Sequence, residues 1–344
     1  MAEKIAVGVV GCGFFARNHL HSWQDLAAEG AELIAVCDID PAKAAATAKA
    51  FGVPRWYRDP AKMFEDEELG LVDIVTRMDT HRQLVGQAIA RRLPTIVQKP
   101  FAPNLDGCLE MTRGAEAAGV FLAVHENFRF QAPIRRAIDV VRSGTIGEPS
   151  WGRISFRTGY DIYGGQPYLL TEDRFVVVDL GCHVLDLARA FFGEVRHLAA
   201  ETQRRNPRIR GEDTATMLLR HQSGAVCVVE CTYESHRQPD CFPETLVEIE
   251  GSKGAVALRP GRILELTTDR QLTTTDADAP LLAWTERPWH VVQESVLATC
   301  RHILTAIRER HDAATSARDN VKTFALCEAA YQAMATGALV RPRA

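Results

Sequence analysis

Asp179, His183 and Asp186 interrupt an otherwise apolar run, DLGCHVLDLARAFFG at residues 179–193, at spacings of four and then three. In a helix those spacings stack the three side chains on one face. Around them Val184, Leu185, Leu187, Ala188, Phe191 and Phe192 read as residues meant for burial. An acid one turn from an imidazole can move a proton. The imidazole titrates nearest neutrality, and the acid fixes its tautomer or stabilises the imidazolium. Asp186 is left outside the core chemistry, either orienting His183 from behind or pairing with a nearby cation. Two rival readings exist. One is a buried salt-bridge network tying helix to sheet. The other is a divalent-ion site, which lacks a convincing further ligand; no metal is expected.

A second candidate is Lys99 in QKP, residues 98–100. A lysine at the end of a buried strand, held by a following proline, cannot easily swing into bulk water. Desolvation lowers a lysine's pKa, and even when charged it can donate to a hydroxyl and stabilise a developing alkoxide. The competing reading is a solvent-facing loop lysine.

These groups need elements to hold them. Residues 4–10 form a Val- and Ile-rich run, as a fully buried parallel strand should, followed by GCGFFA at 11–16. This fits the dinucleotide fingerprint in its version ending in Ala. Gly11 makes the tight turn, Gly13 admits a pyrophosphate, and Ala16 keeps the helix close to the strand. The helix opening near Phe14 and Phe15 offers free N–H groups to phosphates. A second strand at 32–36 runs into Cys37 and Asp38, which places a carboxylate where a ribose diol is held. A helix N-cap is the other reading of Asp38. Ile39, Asp40 and Pro41 follow, so a 2′-phosphate would meet negative charge. NAD is favoured; Lys43 leaves NADP open.

Strands at 72–76, 95–98 and 121–124 alternate with helices beginning near His81 and Leu105. That alternation implies a doubly wound parallel sheet with ligands at the strands' C-terminal ends. The rule selects TRMDTH, with Thr76, Arg77 and His81, and QKP, with Gln98 and Lys99, for the nicotinamide end of a cofactor.

After HENFRFQAP at 125–133 the pattern changes. A helix over 134–142 precedes period-two segments: WGRISFRT, the hairpin DTATMLLRH–QSG–AVCVVECTY, TLVEIEG, GAVAL and RILELTT. The fold class is thus α/β followed by α+β. A Rossmann domain, 1–126, precedes a domain, 127–344, with an open, mostly antiparallel sheet flanked by helices. Late helices are expected at about 291–310 and 319–336. The second face of such a sheet needs a cover, helices or another subunit, so a homodimer or homotetramer is expected.

The bulk numbers agree with a small-molecule enzyme. The 344 residues carry a formal charge of -4, which offers nothing to nucleic acid or an anionic membrane. No apolar run approaches the roughly 20 residues of a membrane span. Nine scattered cysteines without a CxxC pair argue for reduced thiols in a cytoplasm, with Cys227 and Cys231 as small core residues. IAVGVVGC could pass for a signal peptide, but the preceding MAEK has no net positive charge and the apolar core is short.

The order and spacing of GCGxxA, the Asp closing the second strand, TRMDTH, QKP, HENFRF, SGTIGEP and DLGCHVLD resemble the glucose–fructose oxidoreductase/inositol dehydrogenase (Gfo/Idh/MocA) family along nearly the whole chain. The resemblance implies NAD(P)-dependent oxidation of a sugar or cyclitol hydroxyl and an oligomerisation sheet in the second domain. The family's Glu-Lys-Pro appears here as Gln98-Lys99-Pro100. Its Asp-x-x-x-His pair matches at Asp179 and His183, and TRMDTH keeps Thr76 and His81 of its commoner Thr-Pro-x-x-x-His form. Within the family, the chain looks most like the D-apiose dehydrogenase-like branch, with which it shares TR-x-DTH, QKP and HENFRFQ. That branch tends to have Glu where Asp179 stands.

The implied chemistry has Lys99, Asp179 and His183 as catalytic and substrate-binding groups meeting in a cleft between the domains. His183 is the base, Asp179 its partner, and Lys99 polarises the same oxygen. Asn127 holds the carboxamide and Arg129 sugar hydroxyls. The loop at 159–175 adds Tyr168 for substrate, with Tyr163 and Arg174 as further candidates. Two other functions remain open on sequence: glycoside cleavage by oxidation–elimination with NAD recycled, and a non-catalytic NAD- and sugar-binding regulator.

Overall fold

The strand β1 (Ile5–Val10) lies near the middle of a six-stranded parallel sheet, almost wholly buried, as its unbroken apolar run requires. The computed structural model describes residues 4–343; the leading residues of the MAEK segment, 1–3, lie outside the described ones. From β1 the chain continues through α1 (Ala16–Asp25), β2 (Ala31–Cys37), α2 (Pro41–Phe51), β3 (Arg55–Tyr57), α3 (Pro60–Asp66) and β4 (Leu71–Ile74). It goes on through α4 (Met78–Ala90), β5 (Thr95–Gln98), α5 (Leu105–Ala118) and β6 (Leu122–His125). The sheet order is β3-β2-β1-β4-β5-β6, every pair parallel. Strand order reverses between β1 and β4, and a ligand crevice is expected outside the carboxyl ends there.

Local chemistry sets the helix starts. Asp40 is extended, accepts from the N–H groups of Ala42 (2.9 Å) and Lys43 (3.3 Å), and is followed by Pro41 at the first helical position. An N-cap of this kind satisfies backbone donors that have no partner inside the helix. Asp40, not Asp38, therefore caps α2.

The second unit opens with α6 (Ala132–Arg142), then β7 (Pro149–Arg157), the short α7 (Ile162–Gly165) and α8 (Cys182–Phe192). A single π-helical turn over Val177–Gly181 leads into α8. The strands β8 (Val195–Gln203), β9 (Thr214–His221), β10 (Val226–Thr232), β11 (Leu246–Gly251), β12 (Gly254–Arg259), β13 (Ile263–Thr268) and β14 (Gln271–Asp276) follow. The chain closes with α9 (His290–Glu309) and α10 (Ala317–Thr336). The sheet order is β14-β13-β12-β11-β7-β10-β9-β8. All neighbours are antiparallel except β7 and β10, which are parallel. One core joins Ile134 of α6, Leu185 of α8 and Leu326 of α10 to Val229 and Val256 on the sheet.

The compact units differ from a single cut after residue 126. One unit comprises the residues up to Asn127 together with Val296–Val321; the other comprises Phe128–Ser295 and the residues from Lys322 onward. The reason is pairing at the edge of β6. The Val124 N–H donates to Thr315 O at 2.8 Å, and Ala123 bridges to Ser316. Arg318 on α10 also reaches Glu116 on α5 at 2.8 Å. Bonds between residues so far apart in the chain leave no trace in local periodicity.

Replacing Asp40 with Ala is expected to cost about 1 kcal/mol of stability through loss of the α2 cap. Urea unfolding read by circular dichroism would measure it.

Candidate active site

In the first unit the turn after β1 is shaped by two glycines for different reasons. Gly11 has φ +101, and its N–H donates to Cys37 O at 2.7 Å. A Cβ there would lie 2.3 Å from Val75 O, so the fold itself demands glycine. At Gly13 a Cβ would meet no atom within 4 Å. Nothing within the protein requires that glycine, and the open space beside an exposed main chain suits a phosphate group. Phe14 is 77% exposed, and Phe15 sits at the start of α1 without a side-chain cap bond.

Asp38 completes the cradle. Its two carboxylate oxygens each accept one main-chain N–H, from Cys12 at 2.8 Å and Asp40 at 2.9 Å. An ionised carboxylate offers about four lone-pair sites, so acceptor capacity remains for the two hydroxyls of a ribose. The N-cap reading of Asp38 is replaced by this anchored carboxylate. These residues fit a dinucleotide with a free 2′-hydroxyl.

The loop after β4 is placed differently from expectation in one respect. Thr76 Oγ1 pairs with Thr80 Oγ1 at 2.7 Å, and Arg77 is exposed with Nε 3.6 Å from Asp79. His81, however, is fully buried, its ring nitrogens each 3.1 Å from the carbonyl oxygens of Phe101 and Thr76. Burial holds its pKa below the ordinary histidine value, with the carbonyls opposing that shift. His81 clamps two loops together and is corrected from cofactor contact to structural clamp. Asn127, just beyond β6, is buried.

At the end of β5, Lys99 is neither buried nor open to solvent. Gln98 before it is buried and turns its amide inward, accepting from the Lys99 N–H at 2.7 Å and meeting His19 Nε2 at 3.0 Å. Its amide is thus bound within the protein at both ends.

In the second unit the aligned stripe splits three ways. His183 is 3% exposed and stacks on Phe128, centroids 3.7 Å apart and planes 3° from parallel. That contact fixes the plane of the ring. Asp179 lies in the π-helical turn and accepts from the Tyr233 hydroxyl at 3.2 Å. Burial first, and the Asp179 charge second, push the Tyr233 phenol well above its usual range, so it stays a proton donor. Asp186 takes Arg129 in a bidentate pair at 2.6 and 2.5 Å and accepts from Thr323 at 3.0 Å. Pairing with a cation is thus the outcome for Asp186. Arg129, expected at sugar hydroxyls, holds a buried carboxylate with two of its five N–H donors.

The loop at 159–175 gives mixed results. Tyr168 is exposed, its hydroxyl donating to Gln166 at 2.6 Å. Tyr163 is buried with its phenol pushed upward by burial, and Arg174 pairs with Glu328 at 3.0 Å and lies 4.0 Å over the Tyr331 ring. Those two are structural. Tyr233 is the residue that sequence reasoning missed. The alternation Cys227, Val229, Cys231, Tyr233 runs along one buried face, and extending it by one step past β10 would have found it.

A family model described as "Oxidoreductase family, NAD-binding Rossmann fold" (GFO_IDH_MocA) matches residues 5–126, and the GFO/IDH/MocA C-terminal domain matches 134–257. This chain belongs to the Gfo/Idh/MocA family. It is 47% identical over 332 residues to a D-apiose dehydrogenase of Rhizobium rhizogenes, covering 96% of each chain. It is 46% identical to a D-apiose dehydrogenase of Paraburkholderia graminis, covering 98% of this chain and 90% of the other. A solved oxidoreductase from Agrobacterium radiobacter, in complex with NAD+, L-tartaric acid and magnesium, superposes with a TM-score of 0.96 at 46% identity over 98% of both chains. Residues 5–126 are thus the NAD-binding Rossmann domain of a Gfo/Idh/MocA oxidoreductase.

The two glycines should separate in experiment. Gly11→Ala is expected to destabilise by more than about 2 kcal/mol, whereas Gly13→Ala stays within about 0.5 kcal/mol and loses NAD affinity at least tenfold. Thermal unfolding and NADH fluorescence titration read the two effects. Arg129→Met strands a buried carboxylate and should cost about 3–5 kcal/mol in urea unfolding.

Proposed function

We propose that this protein is an NAD-dependent dehydrogenase oxidising a hydroxyl of D-apiose or a closely similar sugar. The 47% identity to a D-apiose dehydrogenase along 96% of both chains carries the reading. Lys99 and His183, which match the family's pattern, support it, while Asp179 stands where the D-apiose branch tends to have Glu. Bound at the crevice after β1, NAD supplies the hydride acceptor.

His183 takes the hydroxyl proton. Its ring plane is held against Phe128, so the accepting nitrogen keeps one orientation as substrate exchanges. Asp179, anchored by the Tyr233 hydroxyl, stabilises the imidazolium that results. Lys99 donates to the same substrate oxygen and lowers the cost of charge developing there. Asp38 holds the adenosine ribose through its remaining lone pairs, and the carboxylate of Asp40 opposes a 2′-phosphate, so NAD is preferred to NADP. Tyr168 is left as a substrate contact from the loop, and Asn127 as a contact to the carboxamide.

We also place the protein in the cytoplasm, on its nine free thiols, and assign it a homodimer or homotetramer. Among the described residues no helix is long and apolar enough to cross a membrane. The strand β9 alternates buried and exposed positions, with Leu218 at 49% exposure, which suits an outer sheet face covered by a second subunit. Sedimentation of wild type and Leu218→Asp would read the subunit count; a monomeric wild type sinks that assignment.

NADH formation at 340 nm from NAD with apiose, other aldoses, inositols and sugar acids is the deciding experiment. Apiose should give the highest kcat/KM. His183→Ala and Lys99→Met should each lose at least about 100-fold in kcat. No turnover of any sugar by protein that binds NADH would overturn the proposal. Tyr233→Phe removes only the donor to Asp179 and should lose about 3- to 30-fold in kcat with folding retained.

A further inference from the structure

The amide of Gln98 lies between two groups whose hydrogen-bonding sense can be worked out from one end. The Lys99 main-chain N–H can only donate, and it reaches Gln98 Oε1 at 2.7 Å. That pins the orientation of the amide. Its other end, 3.0 Å from His19 Nε2, is the NH2 group and donates. Nε2 must then present its lone pair, so the ring proton sits on Nδ1. Nδ1 lies 2.8 Å from Asp73 Oδ2 and donates to it; the same oxygen accepts from Trp23 Nε1 at 2.7 Å. Each of these contacts thus pairs one donor with one acceptor.

The chain is shut off from water. Asp73 and His19 are 0% exposed and Gln98 7%. The His125 ring lies 4.2 Å from that of His19, and Phe15 meets it edge-on at 5.7 Å. The Cys300 thiol beside it is pushed well above its usual range, chiefly by burial. Cys300, His19 and His125 bring donor atoms within 4.8 Å of one another. Both His19 nitrogens are already engaged, so His19 has no lone pair left for a metal.

We propose that Asp73, His19 and Gln98 form a one-directional hydrogen-bond relay that positions the Lys99 main chain, and that residue 98 is glutamine because the relay holds His19 neutral. A glutamate at 98 could still accept from the Lys99 N–H. It would also turn a carboxylate oxygen toward the Nε2 lone pair, setting acceptor against acceptor in a buried site unless the ring took a second proton. Glutamine is the residue of that shape with an acceptor at one end and a donor at the other. None of the three need touch a reacting atom; they are positioning residues.

The proposal rests on the assignment of Lys99 to the substrate oxygen, so one arm of the test avoids turnover. Hydrogen exchange of the full-length protein reads the Lys99 amide. Gln98→Met keeps the volume and removes the acceptor, and should speed that exchange at least about tenfold. An unchanged rate overturns the relay.

In the second arm, Gln98→Met and His19→Asn should each lower kcat about 10- to 100-fold, with KM for NAD within about twofold and the thermal midpoint near wild type. The double variant should be no slower than Gln98→Met alone, because both cut one chain. Multiplying losses overturn the relay. Gln98→Glu keeps the acceptor for Lys99 and should still lose as much as Gln98→Met; wild-type turnover there overturns the requirement for a neutral His19. Full turnover in Lys99→Met removes Lys99 from the chemistry, and the exchange arm alone then decides the relay.

Discussion

A carboxylate that leaves water must find replacement hydrogen bonds, and three aspartates wholly or partly withdrawn from solvent tie distant stretches of this chain together. Asp73, inside the parallel sheet, draws the N–H groups of His19 and Trp23 onto one oxygen. Asp186, fully buried on α8, draws the Arg129 guanidinium and the Thr323 hydroxyl. Asp179, half-buried in the turn before α8, draws the Tyr233 hydroxyl. Each requirement pulls a donor from a distant stretch of chain, and the backbone of that stretch comes with it. The lysine and the imidazole assigned to hydride transfer sit on main chain placed in this way.

The two segments that carry the proposed lysine and imidazole are supported by different kinds of rigidity. Lys99 follows a strand whose neighbours on both sides are hydrogen-bonded parallel strands, so its main chain has little freedom. His183 sits one residue inside α8, directly after a π-helical turn. A π turn widens the helix locally and is frequent at functional sites. Here it turns the acid toward Tyr233, while the imidazole lies flat on Phe128.

Much of the scaffold was legible because its signals are local. The buried run of β1, the glycine turn and the carboxylate closing β2 lie within 40 residues, and each constrains its neighbours through short-range sterics. The period-two segments became strands for the same reason, and the two late helices fall within a few residues of expectation. The candidate site was legible as a set of residue types, whereas the partners that several of them take within the protein were not. Arg129 and His81 look like ligand contacts in a string of letters, because a charged or polar residue at a strand end is usually exposed. Nothing local shows that Asp186 waits 57 residues later for Arg129, or that two carbonyls enclose His81.

The sequence alone determined the dinucleotide turn and the NAD-binding Rossmann domain, and it named the lysine, acid and imidazole of the proposed chemistry. These follow from backbone conformations and side-chain types that need few partners. Only the tertiary structure decided which polar groups are spent on the protein itself. It gave Arg129 to Asp186, Tyr233 to Asp179 and Gln98 to His19, and it returned residues 296–321 to the first unit. The physical reason is range. A turn or a cap is settled among residues a few positions apart, whereas a buried acid takes whichever donor the folded chain brings within 3 Å, however far along the sequence it lies.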